Sequence, residues 1–241
     1  MFITHIHIEA DQADEWPFSL APIRQLREGL RLDRPVTFLV GENGSGKSTL
    51  IEAIADACKI SSEGGKAGTK YSSTGSLTPL GAALKADFTT AGQQLLAGPR
   101  RKRQGFFLRA ETLFNLAQNV SGSYGFWEHD LTKQSHGEGF LTVLDTMFDR
   151  PGLYLMDEPE AALSFTSCLS LIALMDRLAR SGGQIVCATH SPLLTALPGA
   201  QILELGDRGI HEVTWEEMQL VDHWRRYLTD PHAYLRRIIP R

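Results

Sequence analysis

Short apolar segments alternate with helical patterns along most of the chain. Residues 2–9 alternate apolar and polar side chains, which predicts a half-exposed strand. Apolar runs predict further strands at 35–40, 105–109, 153–156 and 184–189. Apolar positions at helical spacing predict helices at 48–57, near 139–148 and near 162–180. This alternation predicts an α/β fold with a mainly parallel sheet covered by helices on both faces.

Two segments lack a clear strand or helix pattern. The chain from Ser61 to Gly81 is rich in Gly, Ser and Thr, which predicts a surface loop. Residues 82–131 mix helical stretches with the strand candidate at 105–109. With 241 residues, the chain fits a single domain that carries an inserted subdomain, and residues 206–241 are expected to form a helical C-terminal extension.

Composition narrows the class of protein. The net charge of −4 argues against a globally basic nucleic-acid-binding protein. No apolar run approaches the roughly 20 residues that cross a bilayer, and the N-terminus has no signal-peptide pattern, so we expect a cytoplasmic protein without an integral membrane segment. Cys58, Cys168 and Cys187 lack the spacing of a metal site and are expected to be buried thiols.

The most informative motif is GENGSGKS at 41–48, which fits the phosphate-binding pattern G-x-x-x-x-G-K-[ST] at every fixed position. It follows a predicted strand and precedes a predicted helix, as the motif requires. Glycines let the backbone N–H groups converge on phosphate oxygens, and the helix N-terminus favours the same anion. The predicted nucleotide-binding residues here are Asn43, Gly44, Ser45, Gly46, Lys47, Ser48 and Thr49.

Two further strands end in chemically active side chains. The strand at 153–156 leads into Asp157 and Glu158, at the sheet edge where α/β proteins bind ligands. Asp157 is predicted to hold Mg²⁺ together with the Ser48 hydroxyl, whereas Glu158 is predicted to orient and polarise an attacking water. The strand at 184–189 ends at His190, a candidate hydrogen-bond donor to the γ-phosphate or the water.

Ser135-His136-Gly137-Glu138 precedes another helical stretch. Ser135 and Glu138 have the spacing of a capping box, which is a purely structural interpretation. A helix N-terminus with a free hydroxyl and a glycine is also an anion site, and it would bind phosphate from a second subunit. Both interpretations stay open from the sequence.

These four elements, in this order, resemble the ATP-binding-cassette (ABC) ATPase superfamily. Residues 41–48 match its Walker A loop, 135–138 its signature, 153–158 its Walker B strand with the catalytic glutamate, and His190 its switch histidine. The resemblance covers about residues 1–205. It implies a P-loop NTPase fold of ABC type with an N-terminal antiparallel β portion and a small helical subdomain at about 61–140.

The resemblance also implies cofactors and a partner. ATP and Mg²⁺ would bind between two copies that meet head to tail, with Ser135 and Gly137 of one copy contacting the γ-phosphate held by Lys47 of the other. Glu158, His190 and Lys47 would be the catalytic residues. Either Trp16 or Phe18 is the candidate for stacking on adenine, and packing in the core is the alternative for both.

The chain departs from the transporter pattern at several positions. Gln134 stands where leucine precedes the signature, Glu160 replaces the threonine of Glu-Pro-Thr, and Ser164 replaces an aspartate. The usual glutamine after the mid-domain strand is missing. Its place falls in Arg109-Ala110-Glu111, where Glu111 is a candidate for the Mg²⁺ or water contact and Arg109 for its partner or a γ-phosphate contact.

With these departures, the chain resembles soluble bacterial ATPases related to SMC-like and RecF-like heads, but it lacks their coiled-coil insertion. Such families act in DNA repair or phage defence. The basic run at 100–103 is either a nucleic-acid contact or a solvated loop. Three alternatives to an ATP hydrolase are a slow ATP-dependent switch, a transporter's nucleotide-binding subunit and a P-loop kinase.

Overall fold

The computed structural model describes residues 1–9, 14–62, 64–66, 77–97, 104–109, 144, 148, 150–236 and 238–239. The strands are β1 (Ile3–Ile8), β2 (Leu30–Arg31), β3 (Val36–Val40), β4 (Gly65–Lys66), β5 (Leu84–Phe88), β6 (Gly105–Arg109), β7 (Leu153–Asp157), β8 (Gln184–Ala188), β9 (Gln201–Gly206) and β10 (Gly209–Glu212). The α-helices are α1 (Ala21–Gln25), α2 (Lys47–Ala57), α3 (Pro79–Ala83), α4 (Thr90–Ala97), α5 (Phe165–Arg180), α6 (Gln219–Thr229) and α7 (Pro231–Leu235). Short 3₁₀ turns lie at Pro159–Ala162, Leu194–Ala196 and Trp215–Glu217.

Among the described residues, seven strands form the large sheet, in the order β10-β9-β3-β8-β7-β6-β4. The five strands from β9 to β6 run parallel, and the short strands β10 and β4 pair antiparallel at the two edges. Strands β3, β7 and β8 are buried along their whole length, as expected for parallel strands with helices on both faces. The predicted fold class and these strands are confirmed.

Alternate side chains of the large sheet enter two separate hydrophobic cores. On one face Leu39, Leu155 and Val186 pack with α2 and β1, and on the other Phe38, Met156 and Cys187 pack with α5. Helix α5 contributes Leu171, Leu174, Met175 and Leu178 at helical spacing to the second core. Since β7 alternates in the same way, Asp157 lies on the α2 side of the sheet.

The small sheet consists of β2, β1 and β5, all antiparallel. Gln184 at the start of β8 is fully buried and joins the two sheets, because its Oε1 accepts hydrogen bonds from Phe2 N at 2.6 Å and Ile3 N at 2.9 Å. Its Nε2 donates to Ile3 O at 2.8 Å. This side chain therefore satisfies backbone groups of β1 and fixes the small sheet beside the large one.

Two predicted boundaries need correction. The helical subdomain at 61–140 is wrong for its first part, because β4 and β6 belong to the large sheet and β5 pairs with β1. Residues 110–143 lie outside the described ranges. The helical extension at 206–241 does not begin as a helix, since β10 forms a hairpin with β9; α6 and α7 lie further along the chain.

The three cysteines are buried and unbonded, as predicted. Within the described ranges, no helix is long and apolar enough to cross a bilayer.

Candidate functional site: a phosphate-binding loop beside two carboxylates

The loop at 41–46 connects β3 to α2 and turns sharply over the end of the sheet. Gly41 has a φ of 142°, and a Cβ atom there would lie 2.2 Å from Leu205 O, so a side chain would collide with the backbone of β9. Gly46 has a φ of 96° and precedes α2 without a capping side chain. The first N–H groups of α2 are therefore free to bind an anion.

Lys47 is buried beneath this loop. Its side chain is 5% exposed, and its Nζ donates hydrogen bonds to Gly41 O and Glu42 O, both at 2.9 Å. Burial lowers the pKa of Lys47, although the nearby carboxylates of Glu158 and Asp157 act in the opposite direction. The lysine is thus a desolvated cation at the floor of the loop, where an anionic ligand would stabilise its charge.

Ser48 and Asp157 meet at the end of β7. The Ser48 hydroxyl donates to Asp157 Oδ1 at 3.1 Å, so the two side chains that the sequence predicts to hold Mg²⁺ together are in contact. Burial raises the pKa of Asp157, and the Ser48 hydrogen bond and Arg109 partly offset this effect. A hydroxyl next to a buried carboxylate has the oxygen donors that Mg²⁺ prefers.

Arg109 ends β6 and supplies a cation next to this pair. Its Nη2 lies 2.9 Å from Glu52 Oε1 and 4.0 Å from Asp157 Oδ2, and its Nη1 donates to Ser62 O at 3.2 Å. Burial raises the pKa of Glu52, and Arg109 counteracts the shift. Arg109 and Glu111 were the two candidates to replace the glutamine that the family has after this strand. Arg109 lies beside the predicted metal ligands, whereas Glu111 is outside the described residues.

Glu158 and His190 lie side by side beyond the ends of β7 and β8. Glu158 is in the left-handed region, with φ 48° and ψ 49°, which turns its side chain away from the line of the strand. Its Oε1 lies 3.5 Å from His190 Nε2. That nitrogen is buried and makes no hydrogen bond within the described part of the chain. Both predicted catalytic side chains therefore reach the same edge of the sheet as Lys47.

A cavity of about 480 Å³ opens beside the loop. Its lining includes residues 40–45, His190, the end of β9 at 204–206 and the following turn at 207–208. Asn43 and Gly44 are exposed at the loop tip, whereas Thr49 is half-buried in the first turn of α2. Of the predicted loop residues, Asn43, Gly44 and Ser45 therefore line this cavity together with His190.

The two adenine-stacking candidates differ in exposure. Trp16 is 67% exposed, whereas Phe18 is 8% exposed and belongs to the core next to α1. Phe18 already packs against protein. Trp16 alone of these two residues presents its ring to solvent.

Ser135 and Gly137 lie outside the described residues, so their interpretation as a signature stays a prediction.

Sequence reasoning missed Glu52, although it stands four residues after Ser48 and therefore on the same face of α2. It also missed the part that Glu160 plays, since its side chain accepts hydrogen bonds from Thr189 and His190, which are about 30 residues away. No local pattern signals a contact of that range.

Asp157→Asn is expected to raise the melting temperature of the nucleotide-free protein. Because the pKa of Asp157 is raised, folding disfavours its ionised form. The ionised carboxylate therefore lowers the free energy of unfolding at pH values above the folded-state pKa, and this loss disappears below the pKa of the unfolded state. Asparagine removes the charge and keeps an acceptor for Ser48. We expect a gain of about 2–4 °C at pH 7.5, which corresponds to about 1 kcal/mol in a domain of this size.

Differential scanning fluorimetry without nucleotide measures this effect, and exposed Asp14→Asn is the matched control. A lower melting temperature for Asp157→Asn alone would mean that Arg109 and Ser48 stabilise the carboxylate more than burial disfavours it.

Two family models match separate parts of the chain. "AAA domain" matches residues 20–94, which contain the phosphate-binding loop. "AAA domain, putative AbiEii toxin, Type IV TA system" matches residues 129–196, which contain Asp157, Glu158 and His190. Together the two matches include Lys47, Ser48, Asp157, Glu158 and His190.

Curated relatives are ABC transporters of much greater length. The ABC-type transporter vrcC of Aspergillus aculeatus is 24% identical over 200 residues, which are 72% of this chain and 14% of that protein. ABC transporter G family member 6 of Arabidopsis thaliana is 27% identical over 179 residues, which are 66% of this chain and 24% of that protein. The chain thus spans a quarter or less of the length of these relatives.

Solved structures share the fold at low sequence identity. The SMC head domain from Thermotoga maritima is 17% identical, with a TM-score of 0.50 over 89% of this chain and 99% of that one. A structure titled "An inward-facing conformation of a putative metal-chelate type ABC transporter" is 13% identical, with a TM-score of 0.51 over 95% of this chain and 89% of that one.

The parallel sheet, the phosphate-binding loop and the carboxylates that follow β7 define a P-loop NTPase fold of ABC type. The chain matches two AAA-domain models, is similar to ATPases of the ABC superfamily and resembles SMC-like heads in its fold.

Proposed function

We propose that this protein is an ATP hydrolase that binds Mg-ATP, closes head to tail with a second copy and uses hydrolysis to drive a conformational switch. The observation that carries the proposal is the Ser48–Asp157 hydrogen bond directly beside buried Lys47. Glu158 and His190 stand at the same edge of the sheet. The candidates for phosphate binding, metal binding and proton transfer are therefore close together, which supports the proposal.

Several unsatisfied groups fit a bound triphosphate. Ser45 Oγ and His190 Nε2 are buried without a hydrogen-bond partner among the described residues, and the α2 N-terminus has no side-chain cap. Phosphate oxygens would accept hydrogen bonds from all three. Ser48 and Asp157 would hold Mg²⁺, with Glu111 as a further candidate ligand, and the ion would offset negative charge on the β- and γ-phosphates.

The chain's own residues supply positioning and proton transfer. Glu158 would orient a water in line with the γ-phosphorus and accept its proton as the water oxygen bonds to phosphorus. The bond from phosphorus to the β-γ bridging oxygen breaks, which gives ADP and phosphate. Lys47 and His190 would stabilise the charge that develops on the phosphoryl oxygens.

Trp16 is our candidate for stacking on the adenine ring, because Phe18 is already buried in the core. Ser135 and Gly137 are our candidates for the contacts made by the second copy. In that arrangement each active site is completed by a helix N-terminus from the partner, which makes dimerisation dependent on ATP.

The coupled process is proposed from the comparisons. One matching family model names a toxin of a type IV toxin–antitoxin system, and the SMC head is covered over 99% of its length. These similarities support a role in defence or DNA repair, with a protein partner and nucleic acid as the candidate contacts. The transporter relatives support a second candidate, the nucleotide-binding subunit of a transporter, which co-purification with a membrane permease would favour.

Purified protein is expected to release inorganic phosphate and ADP from ATP in equal amounts, and EDTA should stop the reaction. Equal amounts are expected because water is the acceptor in this proposal. Phosphate-release and chromatographic assays measure both products. ADP with a phosphorylated acceptor would instead indicate a kinase, and nucleotide binding without ADP formation would indicate a binding switch.

A further inference from the structure

Glu160 connects the two loops that carry Glu158 and His190. Its Oε1 accepts a hydrogen bond from the Thr189 hydroxyl at 2.6 Å and another from the His190 backbone N–H at 2.8 Å. The other oxygen, Oε2, is buried and has no partner within the described ranges. One carboxylate after β7 thus binds two consecutive residues after β8.

The surrounding backbone makes this connection rigid. Glu158 N donates to Ala188 O at 2.9 Å, so the two chains leave the sheet next to each other. Pro159 starts the 3₁₀ turn that carries Glu160. On the other side, the Thr189 hydroxyl accepts a hydrogen bond from Ser191 N at 3.0 Å. Hydrogen bonds therefore fix both sequence neighbours of His190, which are Thr189 and Ser191, and also the backbone N–H of His190 itself.

We infer that Glu160 is a positioning residue that sets where His190 stands relative to Glu158. This inference rests on the proposed ATPase function of the site. Glu160 acts through the backbone of His190, whose imidazole lies 3.5 Å from the Glu158 carboxylate. A small displacement of the histidine loop would therefore change the geometry of both side chains at the γ-phosphate.

The length and charge of glutamate explain its place here. Threonine, which the transporter pattern has at this position, is two atoms shorter and would leave both donors without this acceptor. Glutamine keeps the Oε1 acceptor but loses the charge that strengthens both hydrogen bonds. We therefore expect Glu160→Gln to preserve part of the function that Glu160→Ala removes.

Steady-state kinetics of the full chain test this role. We expect Glu160→Ala to lower kcat for ATP by about 10–100-fold and to change KM by less than about threefold, because the phosphate-binding loop is untouched. Glu160→Gln should recover a large share of kcat. Glu28→Ala, which removes an exposed glutamate after α1, should leave both constants unchanged.

A double-mutant cycle separates positioning from a general structural effect. If Glu160 acts through His190, Glu160→Ala should cost less than about threefold in kcat when His190 is already alanine. Multiplicative effects would show that Glu160 acts independently of the histidine and would overturn the inference. An unchanged kcat for Glu160→Ala in otherwise wild-type protein would also overturn it.

A readout without turnover distinguishes this inference from the proposed function. The imidazole NMR signal of His190, assigned with His190→Gln in nucleotide-free protein, should shift in Glu160→Ala and stay in place in Glu28→Ala. Circular dichroism confirms that each variant is folded. If the wild type hydrolyses no ATP, the proposed function fails, but the NMR measurement still tests the positioning role. If the His190 signal does not move in Glu160→Ala, that role is rejected.

Discussion

Glu158→Gln is expected to lower the ATP turnover number at least about 100-fold while Mg-ATP still binds, since general-base catalysis typically contributes 10²–10⁴-fold. Glutamine has nearly the same size but is a poor proton acceptor. Lys47 and Ser48, which we propose contact the phosphates and Mg²⁺, lie on α2 and keep their contacts. Phosphate release under saturating Mg-ATP measures the loss, and a fluorescent ATP analogue measures the binding.

The same variant tests the proposed dimer. Because hydrolysis would no longer release the closed state, Glu158→Gln should elute as a dimer with Mg-ATP and as a monomer with EDTA. Glu28→Gln serves as the exposed control and should behave as wild type in both assays. Wild-type turnover in Glu158→Gln would exclude this carboxylate as the base.

Lys47→Met is expected to weaken Mg-ATP binding at least about 100-fold, which corresponds to about 2.7 kcal/mol. The ammonium group is buried beneath the loop and would make charge-assisted hydrogen bonds to phosphate. Isothermal titration calorimetry measures the dissociation constant.

The fold should tolerate this change. Burial lowers the pKa of Lys47, so folding disfavours the charged form, and this cost is present below the folded-state pKa and is removed with the charge. Methionine fills similar volume with apolar atoms. Exposed Lys85→Met is the matched control, and a dissociation constant within threefold of wild type for Lys47→Met would contradict the phosphate contact.

Elements with a strong local pattern were predictable. Strands β3, β7 and β8 are continuous apolar runs, and the loop at 41–46 is flanked by the strand and helix that its motif requires. Strand β5 was missed because its sequence LKADF has only a weak apolar alternation. Its conformation depends on pairing with β1, which is a long-range interaction.

The same distinction holds within the site. Ser48 and Asp157 were predicted to hold Mg²⁺ together, since Asp157 follows a strand that ends at the sheet edge where α/β proteins bind ligands; the structure has the two side chains in contact. The partnership of Arg109 with Glu52 and the hydrogen bonds of Glu160 were not predicted. These contacts depend on which side chains distant parts of the chain bring together and on the rotamers that those side chains adopt. The periodicity of the sequence carries no information on either.

The sequence by itself determined that the chain forms an α/β domain with a phosphate-binding loop, and it named Lys47, Ser48, Asp157, Glu158 and His190 for the chemistry. Glycine spacing, strand ends and charged residues are local properties, so the sequence pattern carries them. Only the tertiary structure decided that Arg109 neutralises buried carboxylates, that Phe18 belongs to the core and that Glu160 holds the histidine loop. Burial and hydrogen-bond partners arise when distant strands pack, so they are decided by the folded chain.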